Sequence, residues 1–195
     1  MKLSRGVKLT LFVTFLLAVD QVTKILVKTN MAIGQSVHVF GDWFQILFIE
    51  NNGMAFGMQF GGSFGKLLLS FFRIVLVVII FLYIRKLLKK QDTPTGVLFG
   101  LSAILCGALG NIVDCLFYGV IFDYAPLFYG KVVDMLYFPL IQTTLPLDFP
   151  IWGGREIIFF RPIFNVADSC VTCGTFYLIL FKWRFFSSAL DSAKQ

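Results

Sequence analysis

The chain has 195 residues, 57% of them hydrophobic and only 14% charged, with a mean hydropathy of +0.81. Apolar content on that scale excludes an ordinary soluble domain and points to an integral membrane protein. The formal charge of +6 does not mark a nucleic-acid binder, because the bases flank apolar runs and act as topology signals. The single His38 excludes a His-rich metal site and any Ser-His-Asp triad built on another histidine.

Met1 to Lys8 is basic and leads into an apolar run from Leu9 to Val27. No small-residue cleavage site follows, and Asp20-Gln-Val-Thr-Lys24 continues the run, so it is expected to be an uncleaved first span over about 9–27. An outer loop over 28–66 follows. Within it, Ser36 to Glu50 alternates loosely and is rich in Val, Phe and Ile, which predicts a strand or hairpin at the membrane surface. Asn51-Asn-Gly53 then interrupts it with turn residues.

A second span is predicted over about 67–88, closed by Arg85, Lys86, Lys89 and Lys90, with Arg73 able to snorkel from near its start. Pro94 marks a short connection. The third span, about 97–113, carries Ser102, Ala103, Gly107, Ala108 and Gly110, small residues that suit close helix packing. A long aromatic, Pro- and Gly-containing outer loop over 115–161 holds Asp123, Asp134 and Asp148. The fourth span is predicted over about 164–181, ending at Lys182 and Arg184. The fold class expected is therefore an all-α membrane protein, a single domain of four transmembrane helices with a small β-rich outer platform and a long outer loop. Cys106, Cys115, Cys170 and Cys173 read as small hydrophobes of the spans; the Cys170-x-x-Cys173 spacing has no second ligand pair.

With four spans, the basic clusters at 2–8, 85–90 and 182–184 fall on one side. The positive-inside rule puts both termini and the short middle loop in the cytoplasm. Asp20, Asn51, Asn111, Asp114, Asp134, Asn165 and Asp168 then gather at the opposite, outer end. Asn111/Asp114 and Asn165/Asp168 share an N-x-x-D spacing, which sets amide and carboxylate on one helix face. A carboxylate in a span is a functional hypothesis by default. Two carboxylates close together in a desolvated site share a proton, giving an acid beside a base that can activate water and protonate a leaving amine. Asn side chains can orient the pair or bind a developing oxyanion. Each group also has a structural reading: Asp114 as a loop brace, Asp20 with Lys24 as an ion pair one turn apart, Asn51 as a turn former, and Asp123 and Asp148 as solvated loop residues. Paired acids also suit a small proton or cation carrier, although such sites favour the bilayer midplane.

Five ordered blocks give the chain a resemblance to the lipoprotein signal peptidase (signal peptidase II) family. They are Asp20-Gln-Val-Thr-Lys24, Asn51-Asn-Gly-Met-Ala-Phe56, Cys106-Gly-Ala-Leu-Gly-Asn-Ile-Val-Asp114, Val132-Val-Asp134 and Phe164-Asn-Val-Ala-Asp-Ser169. The resemblance implies an aspartyl endopeptidase of the bacterial inner membrane. It would remove signal peptides from diacylglyceryl-modified prolipoproteins immediately before the lipidated cysteine, near the outer face. Asp134 and Asp168 would be the catalytic pair, with Asn51, Gly53, Asn111 and Asn165 binding substrate or positioning the pair and Asp20, Lys24 and Asp114 supporting the site. No metal, cofactor or nucleic acid is implied, and a monomer among membrane lipids is expected. Two departures stand out. Cys115 occupies the position after Asp114 where the family usually has Arg, leaving Arg155 or Arg161 as substitutes. The loops around Asp134 are longer than usual, and Gly119-Val-Ile-Phe-Asp123 offers a rival alignment for the second aspartate. The length and aromatic content of the outer loop suggest a lid over the substrate.

Overall fold

The computed structural model describes residues 3–52, 62–151 and 153–192. Four long helices dominate it: α1 (Arg5–Asn30), α2 (Gly62–Leu88), α3 (Thr95–Val113) and, after the short α4 (Gly119–Ile121), α5 (Val166–Ser192). Among the described residues, α1, α2 and the α3-to-α4 rod (Thr95–Ile121) are long and apolar enough to cross a membrane. At about 1.5 Å per residue each exceeds the ~30 Å hydrocarbon layer. Leu68, Phe71, Phe72, Ile79 and Leu82 of α2 are exposed, as lipid-facing side chains would be.

Ser4 starts α1 by accepting the Val7 N–H at its hydroxyl. Arg5 in the same turn donates to the carbonyls of Leu88, Lys90, Gln91 and Thr93, tying the start of α1 to the α2–α3 connection. This basic end is filled by Leu9, Ile84, Leu87, Val97, Leu98, Leu101, Leu105 and Leu178.

α3 and α5 run antiparallel and pack most closely. A side chain at Gly107 would strike the Ala167 carbonyl and Val171, so the small residues singled out from the sequence are what let the backbones meet. At Gly110 a Cβ would meet Asp20 and Ala167, so the same closeness brings α1 into the contact.

The opposite end of the bundle carries the strands. β1 (Ser36–Phe40), β2 (Phe44–Asn51), β3 (Val132–Tyr137) and β6 (Ile163–Phe164) form an antiparallel sheet in the order β1-β2-β3-β6. Its inner side packs over Val27 and Tyr118 through Phe48, Val133 and Met135. β4 (Ile141–Thr144) and β5 (Glu156–Phe159) make a separate two-stranded ribbon.

Several expectations are corrected. With two sheets the protein is not all-α. The first helix runs to Asn30 and the second starts at Gly62, shortening the loop expected over 28–66. The loop expected from Cys115 begins as helix: α3 passes into a π-helical segment, Asp114–Tyr118, and ends only at Ile121. Apolar side chains on both faces, with Tyr118 and Gly119 buried, hold this stretch against the core. The last helix begins two residues after Phe164, which belongs to β6, and runs past Phe181 to Ser192.

Candidate active site

The segment Asn165–Asp168 closes the start of α5 as a reciprocal cap. The Asn165 side-chain carbonyl accepts the Asp168 N–H at 2.9 Å, and the Asp168 carboxylate accepts the Asn165 N–H at 3.3 Å. The N-x-x-D spacing here is thus a helix start, with an acid favourably placed at the positive end of the helix dipole. The Asp20 carboxylate accepts the Ala167 N–H at 2.8 Å and satisfies another free donor of the same turn.

β3 supplies Asp134. In the sheet register Asn51 lies opposite Val132, so Asn51 and Asp134 are diagonal neighbours on one face. Asn51 Nδ2 donates to Asp134 Oδ2 at 3.2 Å, and Asn165 Nδ2 donates to Asp134 Oδ1 at 2.7 Å. Asn111 Nδ2 donates to Asp168 Oδ1 at 2.8 Å, while its carbonyl accepts from Asn165 Nδ2 at 3.2 Å. One asparagine pair therefore grips both carboxylates. Asp134 is buried and Asp168 half-buried. Burial, reinforced by the nearby Asp168 charge, raises the Asp134 carboxyl to about 7 against the opposing pull of the Asn51 and Asn165 donors.

Beneath this pair lies a second, closed network. Lys24 Nζ reaches Asp20 at 2.9 Å, Asp114 at 2.8 Å and Asn111 Oδ1 at 2.9 Å, with all three charged side chains at or below 1% exposure. Gln21 Nε2 donates to Asp20 and Asp114, each at 3.0 Å, and to the Gly110 carbonyl at 3.2 Å. Its own carbonyl accepts the Tyr118 hydroxyl at 3.2 Å. Asp114 Oδ2, the oxygen that meets Lys24, also accepts the Val133 N–H at 3.4 Å, joining the network to β3. The structural reading of Asp20, Lys24 and Asp114 and the functional reading of Asn111 meet in one lattice: Asn111 is held by Lys24 and in turn holds Asp168.

Of the residues singled out from the sequence, Asp20, Lys24, Asn51, Asn111, Asp114, Asp134, Asn165 and Asp168 converge. Gly53 lies outside the described residues. Asp123 is exposed in the turn after α4, at φ 53°, so it is Asp134 that meets Asn51 and Asn165. Asp148 is also exposed. Arg155 and Arg161 are exposed, and Arg73 from α2 stands beside Cys115, its Nη1 3.4 Å from Cys115 Sγ. Gln21 and Tyr118 were missed. Gln21 was visible as the residue three before Lys24, on the same helix face; Tyr118 gave no signal, because the π-helical segment shifts the register that would have placed it.

A second ion cluster ties the end of α1 to β2 and the start of β3. Glu50 bonds Lys28 closely and Lys131 at 3.1 Å, and Lys28 lies over the Phe122 and Tyr124 rings. Burial would push the Glu50 carboxyl up, but the two lysines outweigh it and hold it below its ordinary value.

These features define a helical membrane protein with a capped, asparagine-gripped carboxylate pair where its bundle meets its β platform. The model of the family described as Signal peptidase (SPase) II matches residues 12–184. A lipoprotein signal peptidase of Porphyromonas gingivalis is 44% identical over 99% of this chain and 90% of its own length. One from Amoebophilus asiaticus is 39% identical over 84% of this chain and 72% of its own. Two solved bacterial membrane enzymes share the fold, with TM-scores of 0.64 and 0.60 at 26% and 28% identity; the first match covers 93% of this chain and 90% of that one, the second 89% and 90%. The chain belongs to the signal peptidase II family, a family of proteases.

Proposed function

We propose that this protein is an intramembrane aspartyl endopeptidase that removes the signal peptide from diacylglyceryl-modified prolipoproteins immediately before the lipidated cysteine. The observation that carries the reading is the grip of Asn111 and Asn165 on two carboxylates from separate elements, Asp134 on β3 and Asp168 on α5. The family membership, and the name lipoprotein signal peptidase borne by the relatives, support the substrate class.

Asp134 and Asp168 act as a pair that shares one proton near neutrality, and Asp134 carries it, because burial and the neighbouring charge raise its carboxyl to about 7. Asp168 takes a proton from the attacking water. Asp134 first donates to the scissile carbonyl oxygen and takes that proton back as the intermediate collapses, while the amine of the lipidated cysteine leaves with the proton that Asp168 gained. The asparagines keep the carboxylates from rotating away as charge moves between them.

The protein works in a bacterial inner membrane with α5 as a fourth span. Both termini and the Arg5-tethered basic end face the cytoplasm, and the β platform faces outward.

Product analysis tests the reaction. The purified protein in detergent–lipid micelles is given a prolipoprotein with and without diacylglycerol on its cysteine, and the products are weighed by mass spectrometry. The expected product from the lipidated form begins at the lipidated cysteine, and the unmodified form stays intact. Cleavage at another bond, or equal cleavage of both forms, refutes the reading.

A further inference from the structure

The β4–β5 ribbon is inserted between the two aspartates, leaving the sheet after β3 and returning through β6 to α5. Its register pairs Ile141 with Phe159, Gln142 with Ile158, Thr143 with Ile157 and Thr144 with Glu156. Side chains alternate between faces, so Ile141, Phe159, Thr143 and Ile157 share one face and Gln142, Ile158, Thr144 and Glu156 share the other. The first face is the more apolar and the more exposed, since Ile158 is half-buried. On the apolar face Ile141 and Phe159 are 57% and 59% exposed, while on the polar face Gln142 donates to Glu156. Toward the tip, Leu147 and Ile151 are each 91% exposed.

Three observations say what covers this face. An isolated two-stranded ribbon is marginal in water and needs a surface to lie on. Both of its feet are tied to the β platform near the start of α5: Phe138, just before β4, stacks between Phe44 and Phe164, and Phe160, just after β5, packs edge-on against Phe164, two residues before α5 begins. The exposed apolar face therefore hangs from the platform a short stretch of chain before α5 begins. The exposed Arg155 and Arg161 flank it in the chain, cations complementary to lipid phosphates.

We propose that the β4–β5 ribbon is a membrane-interfacial element that lays its Ile141–Phe159–Ile157 face and its Leu147/Ile151 tip into the outer leaflet. There it fixes the depth of Asp134 and Asp168 relative to the lipid surface. The ribbon stays in lipid whether or not substrate is bound, which sets it apart from a lid.

The test reads depth, not activity, so it stands or falls separately from the peptidase reading. Ile157→Cys and Thr144→Cys, each in a Cys173→Ala background, are labelled with an environment-sensitive fluorophore. The proteins are then reconstituted in phosphatidylethanolamine–phosphatidylglycerol vesicles with shallow nitroxide lipids. The expected result is blue-shifted emission and several-fold stronger quenching at position 157 than at 144, unchanged by a prolipoprotein substrate. A Leu147→Cys label should lose its quenching when Ile141 and Phe159 are both changed to Asp, with the thermal unfolding of the protein in detergent unaltered. Equal water-like emission at both positions overturns the proposal. Quenching that appears only with substrate, or shielding at 157 that follows protein concentration without lipid quenching, also overturns it, in favour of a lid or a second copy.

Discussion

Lys24→Met probes the lattice beneath the aspartates. The substitution keeps the length and apolar stem of the side chain but deletes the one cation that Asp20 and Asp114 share, at 2.9 and 2.8 Å and without solvent access. Removing one partner of a buried ion pair costs about 3–5 kcal/mol, because the surviving charge is left uncompensated. Gln21 still donates to both carboxylates, so the loss should fall toward the lower end of that range. Asn111 also loses the donor at 2.9 Å on its carbonyl, which frees it to turn and weakens its hold on Asp168. Lys24→Met should therefore lower both the thermal midpoint in detergent and kcat, while KM for a prolipoprotein changes little. Adding Asp20→Asn and Asp114→Asn removes the stranded charges and should restore most of the stability without restoring full activity. A Lys24→Met protein as stable as wild type would refute the buried-pair reasoning. A triple variant no more stable than Lys24→Met would refute the charge explanation.

Other outcomes follow from the same geometry. With Asp134 raised to about 7, kcat/KM should fall as pH rises through that value, and Asn51→Ala should move the fall to higher pH by removing a donor to the charged form; a pH–rate profile checks both. Because folded Asp134 keeps a proton that the unfolded chain releases at its ordinary 3.8, its contribution to stability declines as pH rises between 3.8 and about 7. Asp134→Asn should flatten that slope in thermal melts. Gly107→Val forces α3 away from the Ala167 carbonyl and should destabilise by about 1–3 kcal/mol, seen as a lower melting midpoint with reduced cleavage. Glu50 is held below its ordinary carboxyl value, so its bridge to Lys28 and Lys131 is present near neutrality and lost in acid; Glu50→Gln should destabilise at pH 7, an effect that fades only as pH falls below the ordinary 4.5.

The apolar runs and the polar cluster were legible because each rests on one-dimensional information: hydropathy for the helices, and acids and amides where hydropathy forbids them for the site. Asn165 and Asp168 were found by spacing, although the spacing means a helix cap as well as a shared face. The same spacing at Asn111 and Asp114 sits inside a helix, and only the fold tells the two apart. Helix continuation past Asp114 was not legible, since a π-helical segment leaves no period in the sequence and the Phe, Tyr and Gly that follow suit a loop equally well. Nor was the β4–β5 ribbon, whose strands of four residues are too short to establish alternation between Pro- and Gly-rich turns. The contact of Arg73 with Cys115 leaves no trace in the sequence either, because Cys115 lies on another helix and is a weak acceptor. The choice between Asp123 and Asp134 was likewise three-dimensional: strand pairing with β2 brings Asp134 to Asn51, while Asp123 ends up in solvent.

The most direct test of the central claim is cleavage of a diacylglyceryl-modified prolipoprotein by wild type and by Asp134→Asn, Asp168→Asn and Asp123→Asn, with each variant shown to be folded. Asn keeps the shape and removes the ionisable group. The account requires Asp134→Asn and Asp168→Asn to abolish cleavage and Asp123→Asn to cut at close to the wild-type rate. Retained cleavage by a folded Asp134→Asn or Asp168→Asn protein, or its loss only at Asp123, would contradict it.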